Sequence, residues 1–131
     1  MTSSKSDKLT ISILPESLAI CQFPKNTLIP HYVSASIFFS ITQTEDELSI
    51  VCDQSVVPAN VKKVEDWRAF KVEGPLDFSQ VGILSSLATP LAENQIPIFA
   101  ISTYDTDYLL VQSKHFGEAK KILVKVCILT E

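Results

Sequence analysis

Between Arg68 and Leu129 the apolar residues alternate, then recur at helical spacing, then alternate twice, then turn helical again before a last short apolar run. Few topologies satisfy that succession. Residues 68–73 read as a strand, ended by Gly74-Pro75. Over residues 78–93, Val81, Leu84, Leu87, Ala88 and Leu91 fall on one face of a helix. Asp77 with Gln80 three positions later has the form of a capping box that starts this helix, and Pro90 should kink or end it. Residues 96–102 form a strand opened by Pro97, 103–106 turn, and 107–112 return antiparallel. Residues 114–125 are helical, with Phe116, Ala119, Leu123 and Val126 on one side, and 126–129 close as a strand. The order β-α-β-β-α-β implies one sheet covered on one face by two helices, the ferredoxin-like arrangement of an α+β protein.

The first half reads as a worn copy of the same unit. Leu9, Ile11 and Ile13 alternate with Thr10 and Ser12 as a half-buried strand, and residues 18–23 form a second. Residues 24–30 are a loop, with a short helical turn over 30–35. Residues 36–42 and 48–52 form a hairpin around 44–47, and at most a short helix fits within 56–63. Residues 39–51 lie over 99–111 without a gap, pairing Phe39 with Phe99 and Val51 with Val111, and residues 18–24 echo 69–75. The expectation is two ferredoxin-like (βαββαβ) units, the N-terminal one with degenerate helices. A flexible tail (1–8) precedes an N-terminal half (9–65) and a C-terminal unit (66–131).

Composition removes several function classes. The formal net charge of -4 gives no basic field for a phosphate backbone, so nucleic acid is not an expected partner. No apolar run approaches the roughly 20 residues that span a bilayer, and the first eight residues lack the apolar core of a signal peptide, so a cytoplasmic protein without a membrane partner is expected. Cys21, Cys52 and Cys127 are odd in number, widely spaced and set among apolar residues, which reads as buried reduced thiols. With only His31 and His115 available and no CxxC, neither a metal site nor a cofactor is expected. Three glycines supply no phosphate-binding loop, and nothing pairs a nucleophile with a base, so no enzyme is expected.

The runs Gly74-Pro75-Leu76-Asp77-Phe78-Ser79, Pro90-Leu91-Ala92-Glu93 and, most specifically, residues 98–111 resemble the small ACT-domain proteins related to the CASTOR arginine sensors and to aspartate-kinase regulatory domains. Leu48-Ser49-Ile50-Val51-Cys52 and Trp67-Arg68 fit the same branch. The likeness covers nearly the whole chain after residue 8 and is looser in the N-terminal half. It implies paired ACT-like units, a ligand bound at an interface between units, and no chemistry of their own.

By that resemblance the ligand-contacting positions fall on Asp77, Gln80, Val81, Thr103, Tyr104 and Asp107. A helix start offers unpaired N–H groups to a carboxylate, while Asp107 offers a partner to an ammonium. Gln80 stands where the arginine sensors carry a carboxylate and Asp77 where they carry a glycine, so arginine itself is not implied. Asp77 and Gln80 equally suit helix capping, and Asp105 and Asp107 suit local turn bonds. Two readings stand side by side. One is a non-enzymatic regulatory module, a homodimeric sensor binding a small molecule, an amino acid in chemical class, and signalling to a protein partner. The other is a protein–protein interaction module that kept the fold and lost the ligand.

Overall fold

Strand alternation and helical spacing produce eight strands and two α-helices among residues 9–74 and 82–130, the residues described in the computed structural model. The strands are β1 (Leu9–Ile13), β2 (Leu18–Pro24), β3 (Ser40–Gln43), β4 (Glu47–Asp53), β5 (Lys63–Val72), β6 (Phe99–Ser102), β7 (Asp107–Gln112) and β8 (Cys127–Thr130). The helices are α1 (Ile83–Glu93) and α2 (Ser113–Leu123). Two structural units divide them. Pro15–Trp67 form one, and residues up to Leu14 with those from Arg68 onward form the other. The protein is α+β, with two ferredoxin-like units.

In Pro15–Trp67 the order is β2, a 3-10 turn at His31–Ala35, β3, β4, a 3-10 turn at Gln54–Val56, then the first part of β5. The strands lie β3-β4-β2-β5, every pair antiparallel, which is the ferredoxin-like order with both helices shortened to single turns. Ala19, Cys21, Leu48, Ile50 and Cys52 face Val33 and Tyr32 of the first turn. Asp66 has φ 68, and here β5 bulges against β2. The Gln54 amide braces the bulge. Its Oε1 accepts the Asp66 N–H at 2.7 Å, and its Nε2 donates to Asp66 Oδ1 at 3.1 Å. That support lets β5 begin at Lys63, five residues before the strand expected from sequence.

The second unit runs β5-α1-β6-β7-α2-β8 and adds β1. Its strand order is β6-β7-β5-β1-β8, so β1 occupies the place beside β5 that a simple ferredoxin-like sheet gives its last strand. It pairs antiparallel with β5 (Ile11 opposite Val72) and parallel with β8 (Ile11 opposite Leu129). Chain order groups β1 with the first half, but both of its ladders are made in this unit. Ile11, Phe70, Val72, Leu109 and Val111 pack under Leu87 and Leu91 of α1 and Ala119, Ile122 and Leu123 of α2. Phe116 stacks on Phe70 at 5.2 Å between centroids and carries the Arg68 guanidinium 4.5 Å over its other side.

Two expectations are corrected. Helix α1 begins at Ile83, not at residue 78, because Gly82 is its N-cap at φ 78, a conformation glycine adopts without steric cost. Asp77 and Gln80, the expected capping box, lie outside the described residues. Pro90 sits inside the helix, which continues to Glu93. It closes with the Gln95 N–H on the Ala92 carbonyl and the Ile96 N–H on the Leu91 carbonyl, both at 3.0 Å. Strand β3 begins at Ser40 rather than residue 36, since Ile37 is turned outward and 91 % exposed.

The internal repeat survives as topology, with a changed register. Ala19 and Cys21 do correspond to Phe70 and Val72, the inward residues of each first strand. The hairpins, however, match one residue out of step with the sequence overlay. The Thr44 N–H bonds the Glu47 carbonyl as the Thr103 N–H bonds that of Thr106, which sets inward Ile50 on inward Leu109. A single-residue slip exchanges the two faces of a strand, so the overlay of Val51 on Val111 set an outward residue on an inward one. Ile11→Ala is expected to destabilise the protein by about 2–5 kcal/mol in urea unfolding, and Ile37→Ala to change it by less than about 0.5 kcal/mol.

Candidate functional site

The end of β5 sets up a cleft. Phe70 and Val72 point into the core, so alternation sends Lys71 and Glu73 to the face away from the helices. On β7, Leu109 and Val111 are likewise inward and Tyr108 faces out. Lys71, Glu73, Gly74, Thr103, Asp105, Thr106 and Tyr108 line an open cleft of about 270 Å³.

The β6–β7 turn forms the opposite wall. The Thr103 N–H donates to the Thr106 carbonyl at 2.7 Å, the Thr103 hydroxyl donates to the same carbonyl at 3.1 Å, and the Thr106 N–H donates back to Thr103 Oγ1 at 3.2 Å. Thr106 is 6 % exposed, and its hydroxyl donates to the Val72 carbonyl. With the pairing of β7 to β5, this bond holds the turn against the end of β5. On the strand side Ser12 Oγ donates to Glu73 Oε2 at 2.5 Å, and Lys71 Nζ lies 3.9 Å from Glu73 Oε1. The Lys71–Glu73 pair is part-exposed and contributes little to stability, but it fixes a cation and an anion side by side on one wall. Asp105 adds a second carboxylate.

Of the six positions implied by resemblance, Asp77, Gln80 and Val81 lie outside the described residues. Thr103 lines the cleft. Tyr104 stands at the turn tip, 81 % exposed. Asp107 shares the helix-covered side with Leu109, where its Oδ1 accepts the Ser102 hydroxyl at 2.6 Å across the β6–β7 pair. The structure adds Ser12, Lys71, Glu73, Asp105, Thr106 and Tyr108. Sequence carried a signal for Lys71 and Glu73, two charges alternating with buried residues just before a strand break. It carried none for Thr106, whose burial depends on which strand end the turn meets. Among the described residues no three His, Cys, Asp or Glu side chains converge to hold a metal ion, and no helix is long and apolar enough to cross a membrane.

Residues 62–125 match the family model of the ACT domain, and residues 16–60 match a second model described as an N-terminal domain. The human protein named cytosolic arginine sensor for mTORC1 subunit 1 is 33% identical over 98 residues, 69% of this chain and 30% of that relative's length. The chain therefore spans about a third of the curated relatives it matches. A crystal structure of an Agrobacterium tumefaciens protein is 35% identical with a TM-score of 0.87, covering 95% of each chain. The structure of aspartokinase alpha and beta subunits aligns with a TM-score of 0.64 over 91% of this chain and 97% of its own at 16% identity, a likeness of fold.

Thr106→Val keeps the volume and removes the hydroxyl. It is expected to lower unfolding free energy by about 1–3 kcal/mol, and Thr106→Ser to recover most of that loss, as read by urea titration.

Proposed function

We propose that this chain, which belongs to the ACT-domain family, is a non-enzymatic regulatory module that binds a small metabolite, an amino acid, in the cleft at the end of β5. The observation that carries this reading is one small cleft lined by a cation, Lys71, and two carboxylates, Glu73 beside it and Asp105 on the turn. The Lys71 ammonium suits a ligand carboxylate, and Glu73 and Asp105 suit its ammonium. The cleft, at about 270 Å³, falls at the small end of ligand sites, which favours a free amino acid over a larger cofactor. Asp77, Gln80 and Val81 follow Gly74 closely in sequence, and in this proposal they complete the site with Thr103 and Tyr104, while Asp107 braces the turn from the helix-covered side through Ser102.

The human relative is named for arginine; an amino acid is the class carried over to this chain, without that identity. Regulation follows if the ligand binds one arrangement of the β5 end and the β6–β7 turn more tightly than others, since only a differential affinity shifts a population. The module is read as a homodimer in the cytoplasm, with β6 and β8 presenting open edges of its C-terminal sheet. Sedimentation equilibrium is expected to return twice the chain mass.

Isothermal titration against the proteinogenic amino acids, with thermal shift in parallel, tests the ligand claim. At least one is expected to bind and raise the melting temperature. Lys71→Met and Glu73→Gln should each weaken it about tenfold or more, the effect of losing one charged hydrogen bond. Neither heat nor a shift with any of them removes the amino-acid reading.

A further inference from the structure

The three cysteines are far apart in sequence, but the fold brings two of them together. β2 and β4 run antiparallel with Cys21 opposite Ile50 and Ala19 opposite Cys52. Cys21 and Cys52 are therefore diagonal neighbours on the same inward face, and both belong to the core of the Pro15–Trp67 unit. Each thiol is close enough to set the other's acidity. Cys127 belongs to the other core cluster.

We infer that Cys21 and Cys52 form a site of reversible intrachain disulfide formation, with a small-molecule disulfide as the oxidant. The surroundings are polar for a core. The Ser36 hydroxyl accepts the Asp53 N–H at 3.0 Å and bonds the Cys52 sulfur. The Tyr32 hydroxyl is buried with no hydrogen-bond partner and lies close enough to feel both sulfurs. The two thiols are also unequal. The hydrogen bond from Cys52, helped by the Lys63 ammonium, draws Cys21 below the usual thiol range. The same hydrogen bond, together with burial, pushes Cys52 up.

The chemistry runs in two exchanges. The Cys21 thiolate attacks one sulfur of the small disulfide, the S–S bond breaks, and one thiolate leaves, giving a mixed disulfide on Cys21. Cys52 then loses its proton to solvent and attacks the Cys21 sulfur, expelling the second small thiolate. Two protein thiols are oxidised and one small disulfide is reduced to two thiols. Access is through the cover above the pair. The His31–Ala35 turn has five residues and no side-chain cap, and short covers of this kind open locally without global unfolding. The same two exchanges run backward when small thiols are in excess, which makes the bridge reversible.

Native protein is incubated with glutathione disulfide, its remaining thiols are blocked with N-ethylmaleimide, and it is digested without reduction for mass spectrometry. A single cross-linked peptide pair joining Cys21 to Cys52 is expected, with Cys127 fully blocked and the bridge reversed by reduced glutathione. Cys52→Ala is expected to retain glutathione on Cys21. Cys127→Ala, which leaves the pair intact, is expected to lose both thiols together. Three blocked thiols in the wild type, a bridge that uses Cys127 as often as its alternatives, or a bridge that reduced glutathione does not reverse overturns the inference.

Discussion

The hydroxyl of Thr106 donating to the carbonyl of Val72 is the bond on which the candidate site hangs. Val72 ends β5, so its carbonyl is at the point where the ladder runs out and a buried acceptor needs a partner. Thr106 supplies it from a turn about thirty residues later in the chain, itself closed by the Thr103 and Thr106 main-chain bonds. With the turn held there, Lys71 and Glu73 on the strand and Thr103 and Asp105 on the turn become opposite walls of one cleft. On the far side, Ser12 of the inserted strand β1 fixes the Glu73 carboxylate.

The same topology is used twice under different loads. In the second unit two full helices cover the sheet, and α1 is held by an αL glycine before it and the Gln95–Ile96 closure after it. In Pro15–Trp67 the helices have become 3-10 turns whose apolar content is Val33, Tyr32 and Val56. The strand order is unchanged, because it is fixed by the ladders of β2 with β4 and β5. The thinner cover still buries the interior of that sheet, and there the two cysteines sit.

Much of the fold was legible because strand and helix periods differ so clearly after Arg68. β7 and the two-helix cover follow from the positions of Leu109 and Val111, of Leu87 and Leu91, and of Ala119 and Leu123. The failures have local causes. Ile37-Phe38-Phe39 has the composition of a strand, yet Ile37 points outward and the ladder starts only at Ser40, since composition says nothing about which backbone is paired. The one-residue error in the repeat arose because Val51 and Val111 match as letters while facing opposite sides. Gly82 starts α1 through its backbone conformation, which the letter alone does not announce. The site was harder. Lys71 and Glu73 were visible as charges at a strand end, but Ser12, Thr106 and Asp105 acquire meaning only from tertiary pairing, as does the approach of Cys21 to Cys52.

Amide chemical shifts of isotope-labelled protein, followed while each proteinogenic amino acid is added, test the cleft most directly. A binding amino acid is expected to move the resonances of Lys71, Glu73, Gly74 and residues 103–108 together, and to leave those of the His31–Ala35 turn in place. Saturable binding that moves other resonances while these stay fixed, or no movement with any amino acid, would contradict a ligand site built on the Thr106–Val72 bond.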